Sequence, residues 1–282
     1  MHVPPHHVKV KVSYAALNSS CDFVIRSIPK TFSTLKVPEW EFSGRIVEVG
    51  ADVREEFRVG ASVFGFLYQT KSALFTFKEM QGALAEYVVA NVDFVALKPS
   101  NATEAQAAYL PIAFVGMKTL DVGRVGPGDS ILVVGGSGAI GTALVQMAKH
   151  VVGKQGRVVA TCSKSKMDFV EGLGADEVID YKQDVGAYLA HVYGNHKFDL
   201  IIDTVGMQSL YTQSPAYLAH DKLYICLGAL SVSRGSHFFW NMAKFLRTLA
   251  VNYYWPQKLW GTPRQYMFMS AYPDELKMGR GP

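Results

Sequence analysis

Residues 130–152 run an apolar β-branched stretch, a glycine-rich turn and a helical stripe in direct succession, and few folds accept that order. Ser130–Val134 leads into Gly135-Gly136-Ser137-Gly138-Ala139-Ile140-Gly141, after which apolar residues at 140, 143, 144, 147, 148 and 151 recur at helical spacing. Gly136, Gly138 and Gly141 form G-x-G-x-x-G. Glycine is needed there because the chain must turn sharply and bring backbone N–H groups close to a pyrophosphate. The helix that follows points its positive end at the same charge. Alone the pattern is weak, and a bare structural turn is the alternative; between a strand and a helix it implies a nucleotide site.

The rest of the chain places that unit. Arg157–Cys162, Glu177–Tyr181, Asp199–Val205 and Leu223–Leu227 read as further strands, and Lys166–Leu173 as a helix stopped by Gly174. Strand–helix–strand at this spacing means βαβ units and a parallel sheet. Leu200-Ile201-Ile202 is apolar on both faces, as a strand covered from both sides must be. Before residue 98 the character differs. Val8, Val10 and Val12 alternate with Lys9, Lys11 and Ser13, and Gly44–Val49, Ala61–Phe66 and Ala85–Ala90 are short β runs. A mostly antiparallel β-domain over 1–98 and an α/β domain over 99–282 are expected. At the junction Lys98-Pro99-Ser100-Asn101-Ala102-Thr103, either Ser100 or Thr103 can cap the Ala-rich helix that follows.

The end of the second α/β strand bears on the ligand. An NAD site offers Asp or Glu about 20 residues after the glycines, for the ribose hydroxyls. This chain offers Ala160-Thr161-Cys162-Ser163-Lys164-Ser165-Lys166, with no acid before Asp168. A hydroxyl and two lysines suit a 2′-phosphate, so NADPH is the expected cofactor, with a solvated lysine loop as the alternative. A net charge of +4 is too weak to argue for nucleic acid. With 49% hydrophobic and 18% charged residues the chain has material for a large core. No run of 18 apolar residues suggests a spanning helix. Cys21, Cys162 and Cys226 are too few and too far apart for a disulfide framework or a four-cysteine zinc site. They suit a reducing compartment, and the N-terminus lacks a secretory layout. A cytoplasmic location is expected, or a mitochondrial one if the N-terminus is truncated.

Several segments, in order along nearly the whole chain, resemble one family. They are Val10-Lys11-Val12 through Ala15-Ala16-Leu17-Asn18, Asp22 and Arg26, Glu41–Gly50, Val59–Gly65, Leu110-Pro111, the Gly136–Gly141 turn, Leu173-Gly174-Ala175-Asp176, Asp199–Gly206 and Gly228. The chain resembles the medium-chain dehydrogenase/reductase superfamily, in its zinc-free quinone-oxidoreductase-like branch. Trp260-Gly261-Thr262-Pro263-Arg264 resembles the fungal members.

The resemblance implies a GroES-like β-domain joined to a doubly wound Rossmann domain that binds NADPH. It implies hydride transfer to a quinone or an α,β-unsaturated carbonyl. By position, the Gly136–Gly141 turn with Ser137, Ala139 and Ile140 would meet the pyrophosphate. Ser163, Lys166 and Tyr181 would surround the 2′-phosphate and adenosine, Gly228 would lie near the nicotinamide, and Asn18 near the reacting centre. Phe23, Phe66 and Tyr68 would line an aromatic substrate cleft, with core packing as the alternative for each. Tyr14, Tyr68 or solvent could donate to a developing oxyanion, and the sequence does not choose among them. Asp203 reads as a structural strand-end acid.

The chain also departs from its relatives. The catalytic-zinc histidine of alcohol dehydrogenases is Trp40 here, and the zinc cysteine position holds Ser19, so no metal is expected. The Asn18–Asp22 spacing is one residue longer than usual, and Gly116 replaces a usual threonine. Both ends read as shorter than the family's, which implies a missing N-terminal hairpin and C-terminal return. The aromatic stretch Phe238–Trp255 is an interfacial membrane helix on one reading, and a cleft wall or a homodimer contact on the preferred one. Three functions stay open: an NADPH-dependent quinone or enone reductase, an inactive NADPH-binding scaffold or regulator, and a trans-acting enoyl reductase of a polyketide pathway.

Overall fold

The computed structural model describes residues 2–18, 37–67, 82–228, 238–254 and 265–269. They form two compact units, one reaching Phe114 and the other beginning at Val115.

The first unit is a five-stranded antiparallel sheet in the order β4-β1-β2-β3-β5. Its strands are β1 (His7–Ala15), β2 (Glu41–Val49), β3 (Ser62–Phe66), β4 (Tyr87–Asn91) and β5 (Val95–Leu97). The alternation in β1 does what its period requires: Val8 and Val10 are buried with Phe42, Ile46, Val63, Val88 and Val95, while Lys11 faces out. Two register shifts between β1 and β2 increase the local bend. Helix α1 (Glu104–Val122) then begins on Thr103, and Ser100 is not its cap. Thr103 Oγ1 accepts the Gln106 N–H at 3.2 Å, and Gln106 Oε1 accepts the Thr103 N–H at 2.9 Å, a reciprocal capping box.

The second unit is a six-stranded sheet, parallel at every pairing, with helices interleaved along the chain. The strands are β6 (Ser130–Val134), β7 (Arg157–Cys162), β8 (Glu177–Asp180), β9 (Phe198–Asp203), β10 (Leu218–Cys226) and β11 (Gln265–Phe268). The helices are α2 (Ala139–Val152), α3 (Met167–Gly172), α4 (Val185–Tyr193), α5 (Gln208–Gln213) and α6 (Phe238–Tyr254). The spatial order β11-β10-β9-β6-β7-β8 is the doubly wound arrangement, which reverses direction between β6 and β9. Ile131 and Val133 join one core with Leu144, Ala148 and Leu200, and Leu132 and Val134 join another with Leu189, Tyr193 and Ile201. Both faces of the sheet are therefore covered, which is why its strands read as unbroken apolar runs.

Strand β10 starts at Leu218, five residues before the expected Leu223. Its first half contains His220, Asp221 and Lys222, Asp221 has a φ of 59°, and the pairing with β9 shifts register between Leu218 and Leu223. A polar bulge masks the strand signal there. Helix α6 occupies the aromatic stretch and exposes Trp240, Leu246 and Tyr254. Among the described residues no helix is long and apolar enough to cross a membrane.

Candidate functional site

In a doubly wound sheet, ligands sit outside the carboxyl ends of the strands where the order reverses. Here that point lies between β6 and β9, and the glycine turn leaves β6 at that end. The Gly135 N–H donates to Thr161 Oγ1 at 3.1 Å and the Gly136 N–H to Thr161 O at 2.8 Å, so β7 pins the turn. Gly135 has a φ of 85°, and a Cβ on it would stand 2.5 Å from Thr204 Oγ1. The chain reverses at this residue, which lies outside the three-glycine pattern and was not singled out from the sequence.

The three pattern glycines divide the work. A Cβ on Gly141 would stand 2.1 Å from Gly135 O, and one on Gly136 would stand 2.9 Å from Ala160 Cβ. Both allow the helix and the sheet to close on the turn. Gly138 is different: its φ is −79°, it is exposed, and its nearest neighbour would be Gly135 O at 3.2 Å. It is the N-cap of α2 and supplies no side-chain cap, and the first turn carries no acid. The amides of Ser137, Ile140 and Gly141 have no acceptor among the described residues. Uncapped donors, the positive end of a helix and the lack of a competing carboxylate together fit a pyrophosphate.

The neighbouring strand ends bring three further candidates together. Ser163 is half-buried just after β7, and its carbonyl accepts the Lys166 N–H at 2.8 Å in a tight turn that leaves Lys166 exposed. Tyr181 follows β8, half-exposed, and its N–H donates to Cys162 O at 3.0 Å. Since β6, β7 and β8 are adjacent, Ser163, Lys166 and Tyr181 line one edge beside the glycine turn.

On the other side of the reversal Asp203 organises two loops. It is 1% exposed, and its carboxylate accepts four hydrogen bonds. Oδ1 takes the Val205 and Gly206 N–H groups, each at 2.8 Å, and Oδ2 takes the Met207 N–H at 2.7 Å and the Tyr224 hydroxyl at 2.8 Å. Its backbone oxygen accepts the Leu227 and Gly228 amides at 2.8 and 3.3 Å. Burial, then the Asp203 charge, holds the Tyr224 hydroxyl well above its usual range, so it remains a donor. A Cβ on Gly228 would stand 2.1 Å from the Val205 carbonyl carbon, so the loops after β9 and β10 pack backbone to backbone. Burial, then Asp203, pushes the Cys226 thiol up to about 12, which leaves it inert.

In the first unit the Asn18 N–H donates to Glu39 Oε2 at 2.8 Å, and Asn18 Nδ2 donates to Glu41 Oε1 at 3.2 Å. Glu41 pairs across the sheet with Phe66, whose ring meets the edge of Trp40 with centroids 5.9 Å apart. Asn18 and Phe66 are thus gathered around two buried acids, Glu39 and Glu41, that sequence reasoning did not single out as a pair. Tyr14 is half-exposed on β1. Phe23 and Tyr68 lie outside the described residues. Among the described residues no group of three His, Cys, Asp or Glu side chains is placed to hold a metal.

Residues 4–100 match the alcohol dehydrogenase GroES-like domain, and residues 139–257 match the family described as zinc-binding dehydrogenase. The trans-enoyl reductase poxH of Penicillium oxalicum is 32% identical over a 311-residue alignment that covers 98% of this chain and 78% of that protein. The chloroplastic NADPH-dependent alkenal/one oxidoreductase of Arabidopsis thaliana is 38% identical over 175 residues, 61% of this chain and 42% of that one. The solved quinone oxidoreductase of Coxiella burnetii shares the fold, with a TM-score of 0.70 at 23% identity over 98% of this chain and 78% of that one. The uncapped glycine turn at the strand reversal, the antiparallel first unit and these matches together establish that the chain belongs to the medium-chain dehydrogenase/reductase superfamily of nicotinamide-dependent oxidoreductases, in its quinone-oxidoreductase-like branch.

Proposed function

We propose that the chain is an NADPH-dependent reductase of quinones or α,β-unsaturated carbonyls that works without zinc, with a β-domain over residues 1–98 and a cofactor domain over 99–282. The observation that carries this reading is the uncapped N-terminus at Gly138, beside a strand end that offers Ser163 and Lys166 and no acid. The amides of Ser137, Ala139 and Ile140 hold the pyrophosphate, with Gly136, Gly138 and Gly141 giving it room. Ser163 and Lys166 take the 2′-phosphate, Tyr181 covers the adenosine, and Gly228 lets backbone approach the nicotinamide. When bound, the cofactor supplies a hydride for an electron-poor acceptor. Asn18 orients the acceptor, and Phe23, Phe66 and Tyr68 provide its apolar surroundings. The indole at position 40 offers no lone pair for zinc in the place where zinc-dependent relatives have histidine.

Fluorescence titration with NADPH, followed by 1,4-benzoquinone, trans-2-hexenal and crotonaldehyde in turn, tests the reading. Binding with oxidation of NADPH by at least one acceptor, undiminished by 1,10-phenanthroline, is expected; binding without oxidation of NADPH by any of them would make the chain a scaffold. Lys166→Glu is expected to weaken NADPH roughly ten- to a hundredfold, because a hydrogen bond to a charged group contributes about 1.5–3 kcal/mol. NADH, which lacks the 2′-phosphate, is expected to change less than about twofold; an equal loss of both would remove the 2′-phosphate from this loop.

The match to poxH along nearly the whole chain favours a second reading within the same chemistry, a trans-acting enoyl reductase. Turnover of an acyl-carrier-protein-bound enoyl thioester, with no turnover of the free quinone or enal, would select it.

A further inference from the structure

Two local energetic costs converge on Asn18. Glu39 is a buried non-glycine residue with a φ of 66°, a backbone region that costs about 1–3 kcal/mol unless its surroundings impose it. Glu41 is 2% exposed, and its Oε2 is buried with no hydrogen-bond partner among the described residues. An orphaned buried polar atom costs about 1–3 kcal/mol, so an apolar side chain at position 41 would serve packing alone better. What the two acids do in common is hold one residue. Glu39 fixes the Asn18 backbone through its N–H, and Glu41 fixes the side chain through Nδ2.

We propose that Glu41 is a positioning residue for the reductase: by accepting the Asn18 Nδ2–H at Oε1, it sets which face of the Asn18 carboxamide meets the reacting molecule. The activity part of this inference rests on the proposed reductase function. An acceptor-only carboxylate forces the amide nitrogen of Asn18 inward, and the carbonyl end is thereby turned the other way. Burial, and secondarily the Glu39 charge, raises the Glu41 carboxyl above its ordinary range. Gln at position 41 keeps an acceptor oxygen for Asn18 in a neutral group of nearly the same shape, whereas Leu keeps the volume and loses the acceptor.

The test compares the full chain with Glu41→Gln, Glu41→Leu, Asn18→Ala and the Glu41→Leu/Asn18→Ala pair. Thermal melts are recorded first. The reporter independent of turnover is the Asn18 side-chain carboxamide signal in proton–nitrogen correlation spectra, assigned by its loss in Asn18→Ala. It is expected to stay in place in Glu41→Gln and to move in Glu41→Leu. With NADPH and trans-2-hexenal, kcat is expected to fall about ten- to a hundredfold in Glu41→Leu, as misplacement of an orienting group does. Glu41→Gln is expected within about threefold of the parent, and the pair no worse than Asn18→Ala, because residues acting as one unit are not additive. NADPH dissociation constants are expected to change less than about twofold throughout, since the proposed cofactor contacts lie in the other unit.

An unmoved carboxamide signal in Glu41→Leu, an unchanged kcat there, a Glu41→Gln as impaired as Glu41→Leu, or additive losses in the pair would each overturn the proposal. Should Glu41→Leu not fold, Glu41→Gln against Asn18→Ala decides it: a Glu41→Gln as impaired as Asn18→Ala overturns it. Should none of the acceptors oxidise NADPH with the parent protein, the reductase reading fails, and the carboxamide signal still decides whether Glu41 holds Asn18.

Discussion

Gly138→Asp is expected to abolish NADPH binding while leaving the fold as stable as before. Position 138 has a φ of −79°, which any residue adopts, and a new Cβ would press only on Gly135 O at 3.2 Å. It is the N-cap of α2, where aspartate is among the preferred residues and exceeds glycine by a few tenths of a kcal/mol. The aspartate oxygen would take the amides of Ile140 and Gly141, which have no other acceptor among the described residues. The same act would fill the space and occupy the donors that a pyrophosphate needs, and would add a negative charge at its door. A loss of more than about a hundredfold in NADPH affinity is expected, the removal of two or so charge-assisted hydrogen bonds. Isothermal titration with NADPH alongside a thermal melt checks both halves. Affinity within about tenfold of the parent would place the phosphates elsewhere. A collapse of the melting temperature would show Gly138 to be a packing glycine like Gly141.

Asp203→Ala is expected to do the reverse, damaging stability first. It would strand the Val205, Gly206 and Met207 amides and the Tyr224 hydroxyl in a region where Asp203 itself is 1% exposed. Each buried donor left without a partner costs about 1–3 kcal/mol, and the four are close enough for water or a shifted loop to rescue some of them, so the net loss should be about 3–5 kcal/mol. Urea unfolding at neutral pH measures it. A loss below about 1 kcal/mol would mean that the loops after β9 and β10 are held by the Gly228–Val205 backbone packing and not by the carboxylate. The contrast between the two substitutions separates a group kept for a ligand from a group kept for the fold, though both sit at the carboxyl ends of strands in the same sheet.

Legibility followed the range of the forces involved. The glycine turn was readable because its demands are met within seven consecutive residues. Strands β6, β7 and β9 were readable because a strand buried on both faces has no polar alternation to confuse it. The second half of β10 was readable for the same reason, and its first half was not, because the bulge at Asp221 lets His220, Asp221 and Lys222 reach solvent. Helices α4 and α5 and strand β11 went unassigned. They are short, and nine-, six- and four-residue elements carry too little periodicity to stand out. Ser163, Lys166 and Tyr181 could be chosen one by one; that they share an edge with the turn follows from the order β6-β7-β8.

By itself the sequence determined the two-part plan, the parallel sheet, the glycine turn between strand and helix, and the family. All of these rest on local conformation or on apolar periodicity, which a chain carries with it. Only the tertiary structure decided that Gly135 is the true point of reversal, that Gly138 is spared by its neighbours while Gly136 and Gly141 are not, and that Asp203 serves four donors. The pairing of Asn18 with Glu39 and Glu41, 21 and 23 residues away, belongs to the same class. The reason is common to all four. Each depends on which distant backbone or side chain comes within about 3 Å, and hydrogen bonds and close packing act only at that range.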